Sequence, residues 1–133
     1  MAFLPDADSL RNSISAAPRK YLDLLEVFDE IESTNSYLLA EDAPAPGRFR
    51  VAFTNHQTAG RGRLGRRWQS PPGSGICMSM SYTFVRKPKN LACLTLSTGV
   101  GLGKALQQLG ASGIELKWPN DLIVKERKLG GIL

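Results

Sequence analysis

Apolar and polar positions alternate in several short runs of this chain and recur at helical spacing in one long run. Between Ile76 and Phe84 the alternation is strict. Ile76, Met78, Met80, Tyr82 and Phe84 fall on one face of an extended strand, and Cys77, Ser79, Ser81 and Thr83 on the other. The methionine-bearing face is the one expected in a core. Leu24–Ile31 carries a similar alternation through Leu25, Val27, Asp29 and Ile31, which predicts a strand, with a helix as the competing reading. Ser33-Thr34-Asn35 places short polar side chains ahead of an apolar stretch, the signature of a helix N-terminus, and Pro44 and Pro46 set its limit.

Arg50–Thr54 reads as a further strand and Pro71–Gly75 as a turn. From Asn90 to Leu109, the spacing of Leu91, Leu94, Thr98, Leu102, Ala105, Leu106 and Leu109 predicts a helix stopped by Gly110. Gly99, Gly101 and Gly103 each cost this helix up to about 1 kcal/mol against alanine, so close approach to a sheet is the expected compensation. Strands are expected at 114–118, 122–124 and 128–133, with turns at 119–121 and 126–127; the last reads as a strand cut off in mid-course. Residues 1–20 read as a leader or peripheral helix, and 21–133 as the domain proper.

With 133 residues, 42% of them hydrophobic and 22% charged, the chain has the makings of one domain with a core. No apolar run is long enough for a membrane span, and Asp6 and Asp8 are unlike a signal sequence, so a cytoplasmic location is the default expectation and no membrane partner is expected. Cys77 and Cys93 lack companions at metal-ligand spacing and are expected as two reduced core thiols.

Charge changes the picture more. Residues 1–42 hold nine acids and three bases, whereas residues 43–114 hold ten bases and no acid. A block this one-sided is aimed at something negative: nucleic acid, a nucleotide or an acidic small molecule. Its densest part is Gly60–Trp68, nine positions with four arginines, three glycines and a tryptophan. Glycine lets backbone approach a ligand closely, and the guanidinium fork matches carboxylate and phosphate. Taken alone, such a run reads better as a disordered nucleic-acid-binding tail or a solvated loop. Gly60-x-Gly62-x-x-Gly65 matches a dinucleotide fingerprint only superficially. Pro71 and Pro72 forbid the long helix that must follow, and no acid occurs before Glu115 to meet a ribose. The Walker phosphate loop is absent.

Four stretches in order, Ser33-Thr34-Asn35, Gln57–Trp68, Lys117-Trp118-Pro119-Asn120-Asp121 and Lys128–Leu133, resemble the catalytic domain of biotin–protein ligases across about residues 25–133. The resemblance implies an α+β fold with a mixed, largely antiparallel sheet and helices packed on one side, here in its N-terminal portion. It implies activation of biotin with ATP and Mg²⁺ to biotinyl-5′-AMP, then transfer to a lysine of a biotin carboxyl carrier domain of a carboxylase. A homodimer is compatible with it. A winged-helix route to DNA is not expected, because too few residues precede the first strand.

For the site, the resemblance implies biotin contacts from Ser33, Thr34, Asn35, Gln57, Gly60, Arg61, Gly62, Arg63 and Lys128. It implies ATP or adenylate contacts from Arg61, Arg63, Arg66, Trp68, Asn120 and Lys128, and catalytic roles for Arg63, Lys128, Lys117 and Asp121. Asp121 is the candidate for orienting Mg²⁺ or the acceptor lysine. The chemistry agrees. Two like charges about 4 Å apart repel by about 4 kcal/mol at an effective dielectric of 20, so a carboxylate attacking a phosphate needs fixed cations. The neutral ureido head of biotin suits neutral hydrogen-bonding partners.

Structural readings stand beside these. Ser33 and Thr34 also serve as helix caps, Trp68 as a core aromatic, Pro119–Asp121 as a turn, and His56 as a plain loop residue. The alternatives in function are a lipoate or octanoyl transfer enzyme of the same fold and a basic nucleic-acid-binding module. The chain lacks the glycine-rich, histidine-containing signature of the first. It also lacks the interleaved aromatics that a stacking platform requires of the second.

Overall fold

Alternating segments pair into two three-stranded sheets, one in each of two units of the chain. The computed structural model describes residues 4–133. One unit ends at Lys87 and the other is Pro88–Leu133.

In the first unit, β1 (Leu22–Phe28) lies parallel to β2 (Phe49–Thr54), and β2 pairs antiparallel with β3 (Cys77–Tyr82). A parallel pair needs a crossover, and α3 (Thr34–Ala40) supplies it. Helix α3 packs on the face of β2 and β3 that carries Ala52 and Ser79. The opposite face, with Leu25 and Val51, is covered by Ala7, Leu10 and Ile14 of the N-terminal segment, which forms α1 (Ala7–Ser13) and the short α2 (Ala16–Arg19). Asp6 caps α1 by accepting from the Ser9 N–H at 2.8 Å. Arg50 and Arg48 both reach Asp23, at 3.0 and 3.4 Å, pinning β2 to β1. The hydrogen bond from Arg50, then that from Arg48, holds the Asp23 carboxyl below its ordinary range.

The strand at β3 is as expected, but its faces are exchanged. Met78, Met80 and Tyr82 are 46%, 58% and 43% exposed, while Ser79 and Ser81 are half-buried. Strict alternation separates two faces without saying which is covered. Here β3 is an edge strand whose serine side meets the polar N-terminal turn of α3, and α1 packs over β1. The expectation of two core thiols is likewise corrected. Both cysteines are free, but Cys93 is exposed at the first position of the long helix, where no sheet covers it, and Cys77 is half-buried.

In the second unit, α4 (Cys93–Gln108) packs on β4 (Ile114–Lys117) of an antiparallel meander completed by β5 (Asp121–Val124) and β6 (Arg127–Gly131). The covered stripe of α4 runs through Thr98, Gly99, Leu102, Gly103 and Leu106, whereas Leu91, Leu94 and Leu109 are exposed. A Cβ on Gly99 would sit 3.4 Å from Ile132 and 3.5 Å from Leu116, so this glycine does mark close approach to the sheet. Gly101 has open space around it, and proximity gives no reason for it. Lys125 and Glu126 link β5 to β6 with φ of 48° and 63°, the left-handed pair that a two-residue hairpin requires. Among the described residues no helix is long and apolar enough to cross a membrane.

Candidate functional site

The sequence-predicted residues fall into two groups, one in each unit. In the first unit, Ser33 has extended backbone geometry and its hydroxyl accepts from the Ser36 N–H at 3.2 Å, so the cap reading of Ser33 holds. Thr34 follows as the first helical residue. Its N–H donates to Gln57 Oε1 at 2.9 Å, its hydroxyl lies 3.2 Å from the same oxygen, and Ser79 Oγ is 2.8 Å from that hydroxyl. Ser33 and Thr34 are buried, and Asn35 and Gln57 are half-buried. The result is a compact cluster of neutral hydrogen-bonding groups. Ser79 and Ser70, whose Oγ accepts from the Gln57 N–H at 2.9 Å, were missed by sequence reasoning. The signal for Ser79 was present in the alternation of β3 but pointed to solvent.

Gln57 is aligned because the ladder between β1 and β2 continues past the strands. Ile31 donates to His56 O, and Thr58 and Ala59 donate to Ile31 O and Glu32 O. His56 Nδ1 lies 2.8 Å from Glu30 Oε2, which fastens the same turn from outside. The chain then folds into a small hairpin. Trp68 N–H donates to Gly60 O at 2.9 Å, Gly62 N–H to Arg66 O at 2.7 Å, and Arg63–Gly65 makes a single 3₁₀ turn with Leu64 at φ 58° and Gly65 at φ 72°. Gly60 is obligatory, since a Cβ there would lie 2.6 Å from Trp68 O. Arg61, Arg63, Arg66 and Arg67 are exposed at this tip, Arg67 reaches Thr58 O at 3.3 Å, and Trp68 is half-buried. Gln57 of the neutral polar cluster and the guanidinium groups therefore lie along one continuous stretch, Gln57–Trp68.

In the second unit, the turn between β4 and β5 presents Lys117 and Asp121, which are opposed in the ladder. Lys128 Nζ lies 2.8 Å from Asp121 Oδ1, with side-chain exposures of 45% and 25%. A half-open pair of this kind contributes only about 0–1 kcal/mol to folding. Asn120 is committed to backbone, its amide donating to Ile132 O at 2.7 Å while its own carbonyl accepts from Ile132 N–H at 2.8 Å. A mainly apolar pocket of about 210 Å³ opens beside this turn, between Leu96 and Gly99 of α4 and Leu116, Pro119, Asn120 and Asp121. Among the described residues no three His, Cys, Asp or Glu side chains cluster as a metal cage. Mg²⁺ needs no such cage when it arrives on nucleotide phosphates, where one or two carboxylates suffice, and Asp121 fits that lesser requirement.

Comparison with known proteins agrees with the resemblance seen in the motifs. Residues 27–133 match the Biotin/lipoate A/B protein ligase family. The bifunctional ligase/repressor BirA of Salmonella typhimurium is 36% identical over 133 aligned residues, which cover 98% of this chain and 38% of that protein. The biotin–[acetyl-CoA-carboxylase] ligase of Mycobacterium tuberculosis is 35% identical, covering 96% of this chain and 50% of that protein. Among solved structures, the biotin protein ligase of Aquifex aeolicus in complex with biotin and ATP superposes with a TM-score of 0.68 at 34% identity, covering 84% of this chain and 46% of that one. The chain thus spans half or less of the length of these relatives. The α+β architecture with mixed and antiparallel sheets is the one that the solved relative shares.

Proposed function

Since the chain belongs to the biotin/lipoate A/B protein ligase family, we propose that it recognises biotin and takes part in converting it, with ATP, to biotinyl-5′-AMP for transfer to a carrier-domain lysine. The observation that carries this reading is the Thr34–Gln57–Ser79 cluster continuing directly into the arginine hairpin. A carboxylate with a neutral ureido head that becomes an acyl phosphate needs neutral partners for the head and cations for the carboxylate end.

In the first step a carboxylate oxygen attacks the α-phosphorus of ATP, the bond to the β-phosphate oxygen breaks, and pyrophosphate leaves. Arg61 and Arg63 are the groups proposed to offset the charge that accumulates, with Lys128 addressing the carboxyl–phosphate junction. Trp68 is assigned to adenine, with Arg66 and Asn120 on the nucleotide, although the Asn120 side chain also has a backbone partner. Mg²⁺ supplies charge neutralisation on the phosphates. In the second step a neutral lysine amine attacks the acyl carbon, AMP leaves and the amine loses a proton. The acceptor is proposed to be the biotin carboxyl carrier domain of a carboxylase, in keeping with the name of the mycobacterial relative.

Calorimetric titration with biotin, lipoate and a random oligonucleotide tests the assignment. Biotin alone is expected to bind with a defined stoichiometry, and Gln57→Ala to weaken it at least about tenfold, the worth of one lost hydrogen bond to a buried partner. Preference for lipoate, or oligonucleotide binding that falls steeply with salt, would contradict it.

A further inference from the structure

Lys128 and Asp121 meet because of an irregularity in the sheet. In a regular strand, residues three apart face opposite sides, which would separate Lys128 from Gly131. The register instead pairs Lys128 with Ile123 and Gly131 with Asp121, leaving Leu129 as the extra residue of a bulge. Ile123 and Asp121 share a face, so the bulge returns Lys128 and Gly131 to that same face. The lysine stem then lies over the bare glycine. A Cβ on Gly131 would be 3.3 Å from both Cε and Nζ of Lys128 and 3.4 Å from Asp121 Oδ1.

We propose that Asp121 is a positioning residue that acts through Lys128, and that Gly131 keeps clear the space in which the two meet. The proposal rests on the ligase reading above. Lysine carries its charge on a flexible four-carbon stem, so the location of that charge depends on what holds it. The pair at 2.8 Å gives the ammonium a fixed starting position while 45% of the lysine side chain stays open to an incoming anion. In this role Asp121 acts through Oδ1 on the ammonium, which is a different task from holding a metal ion.

The test compares single-turnover formation of biotinyl-AMP by the wild-type chain, Asp121→Asn, Gly131→Ala and the double variant, alongside calorimetric biotin affinity. Asp121→Asn is expected to slow adenylate formation about 10- to 100-fold, the usual consequence of misplacing a reacting group by about 1 Å, and Gly131→Ala, where the lysine end has to give by only a few tenths of an ångström, by less. Both are expected to lose more in rate than in biotin affinity. The double variant should be no slower than the slower single, since both remove one arrangement. Wild-type rates in Asp121→Asn, multiplying losses in the double variant, or rescue of Asp121→Asn by raised Mg²⁺ would overturn the proposal. Should Asp121→Asn fail to fold, Gly131→Ala tests the same point with both charges retained. A second readout needs no turnover: the Lys128 ammonium protons should be protected from exchange in the wild type and lose protection in both single variants. Absence of adenylate from the wild type counts against the ligase reading, whereas an unprotected Lys128 ammonium in the wild type counts against the positioning role.

Discussion

Gln57 shows how one side chain joins two parts of a fold. Its carbonyl oxygen takes up the first amide of α3 while its backbone N–H is held by Ser70. The cap at Ser33 was legible in the sequence because capping depends on residues three apart. The Thr34–Ser79 bond was not, because it depends on how α3 packs on β3, between residues 45 positions apart. Replacing Ser33 with alanine is expected to cost about 1 kcal/mol in chemical denaturation without biotin, the worth of a cap. Any loss of biotin affinity beyond that reports a separate ligand contact. Tyr37 offers a check on the same helix. Its hydroxyl donates to Glu26, and that bond, followed by burial, raises its pKa to about 12 from 10.0. A raised value means the stability it contributes is fully present below pH 10 and lost as pH rises from there through about 12. Titration followed by tyrosinate absorbance should show a late-ionising phase, and Tyr37→Phe should remove it.

At the scale of elements, the glycines separate into those with a structural reason and those without. Gly60→Ala forces a Cβ to within 2.6 Å of a backbone oxygen, and overpacking of this kind costs about 1–3 kcal/mol. The variant is expected to lower the urea midpoint and weaken biotin binding together. Gly101→Ala meets nothing within 4 Å in an exposed part of α4, so it should stabilise by up to about 1 kcal/mol and raise the melting temperature. Periodicity located α4 and β3 well, since apolar spacing is a local property. It misassigned the covered face of β3 because coverage is decided by where α1 and α3 pack. The bulge at Leu129 was invisible for a similar reason: only pairing with β5 defines it.

For the whole molecule, the segregation of charge along the sequence pointed to an anionic partner and left nucleic acid, a nucleotide or an acidic small molecule open. Ten bases and no acid over residues 43–114 include the exposed arginine tip of the hairpin. The family followed from four spaced motifs, and the match over residues 27–133 agrees with it. What spacing could not supply was the partner of each group, such as Asp121 for Lys128, because contact is settled by register rather than order. The central claim is that these residues activate biotin, and mass spectrometry of the chain incubated with biotin and Mg-ATP tests it most directly. Biotinyl-5′-AMP retained by the protein, and reduced in Arg63→Ala, is the predicted result. Absence of the adenylate together with no calorimetric binding of biotin would contradict it.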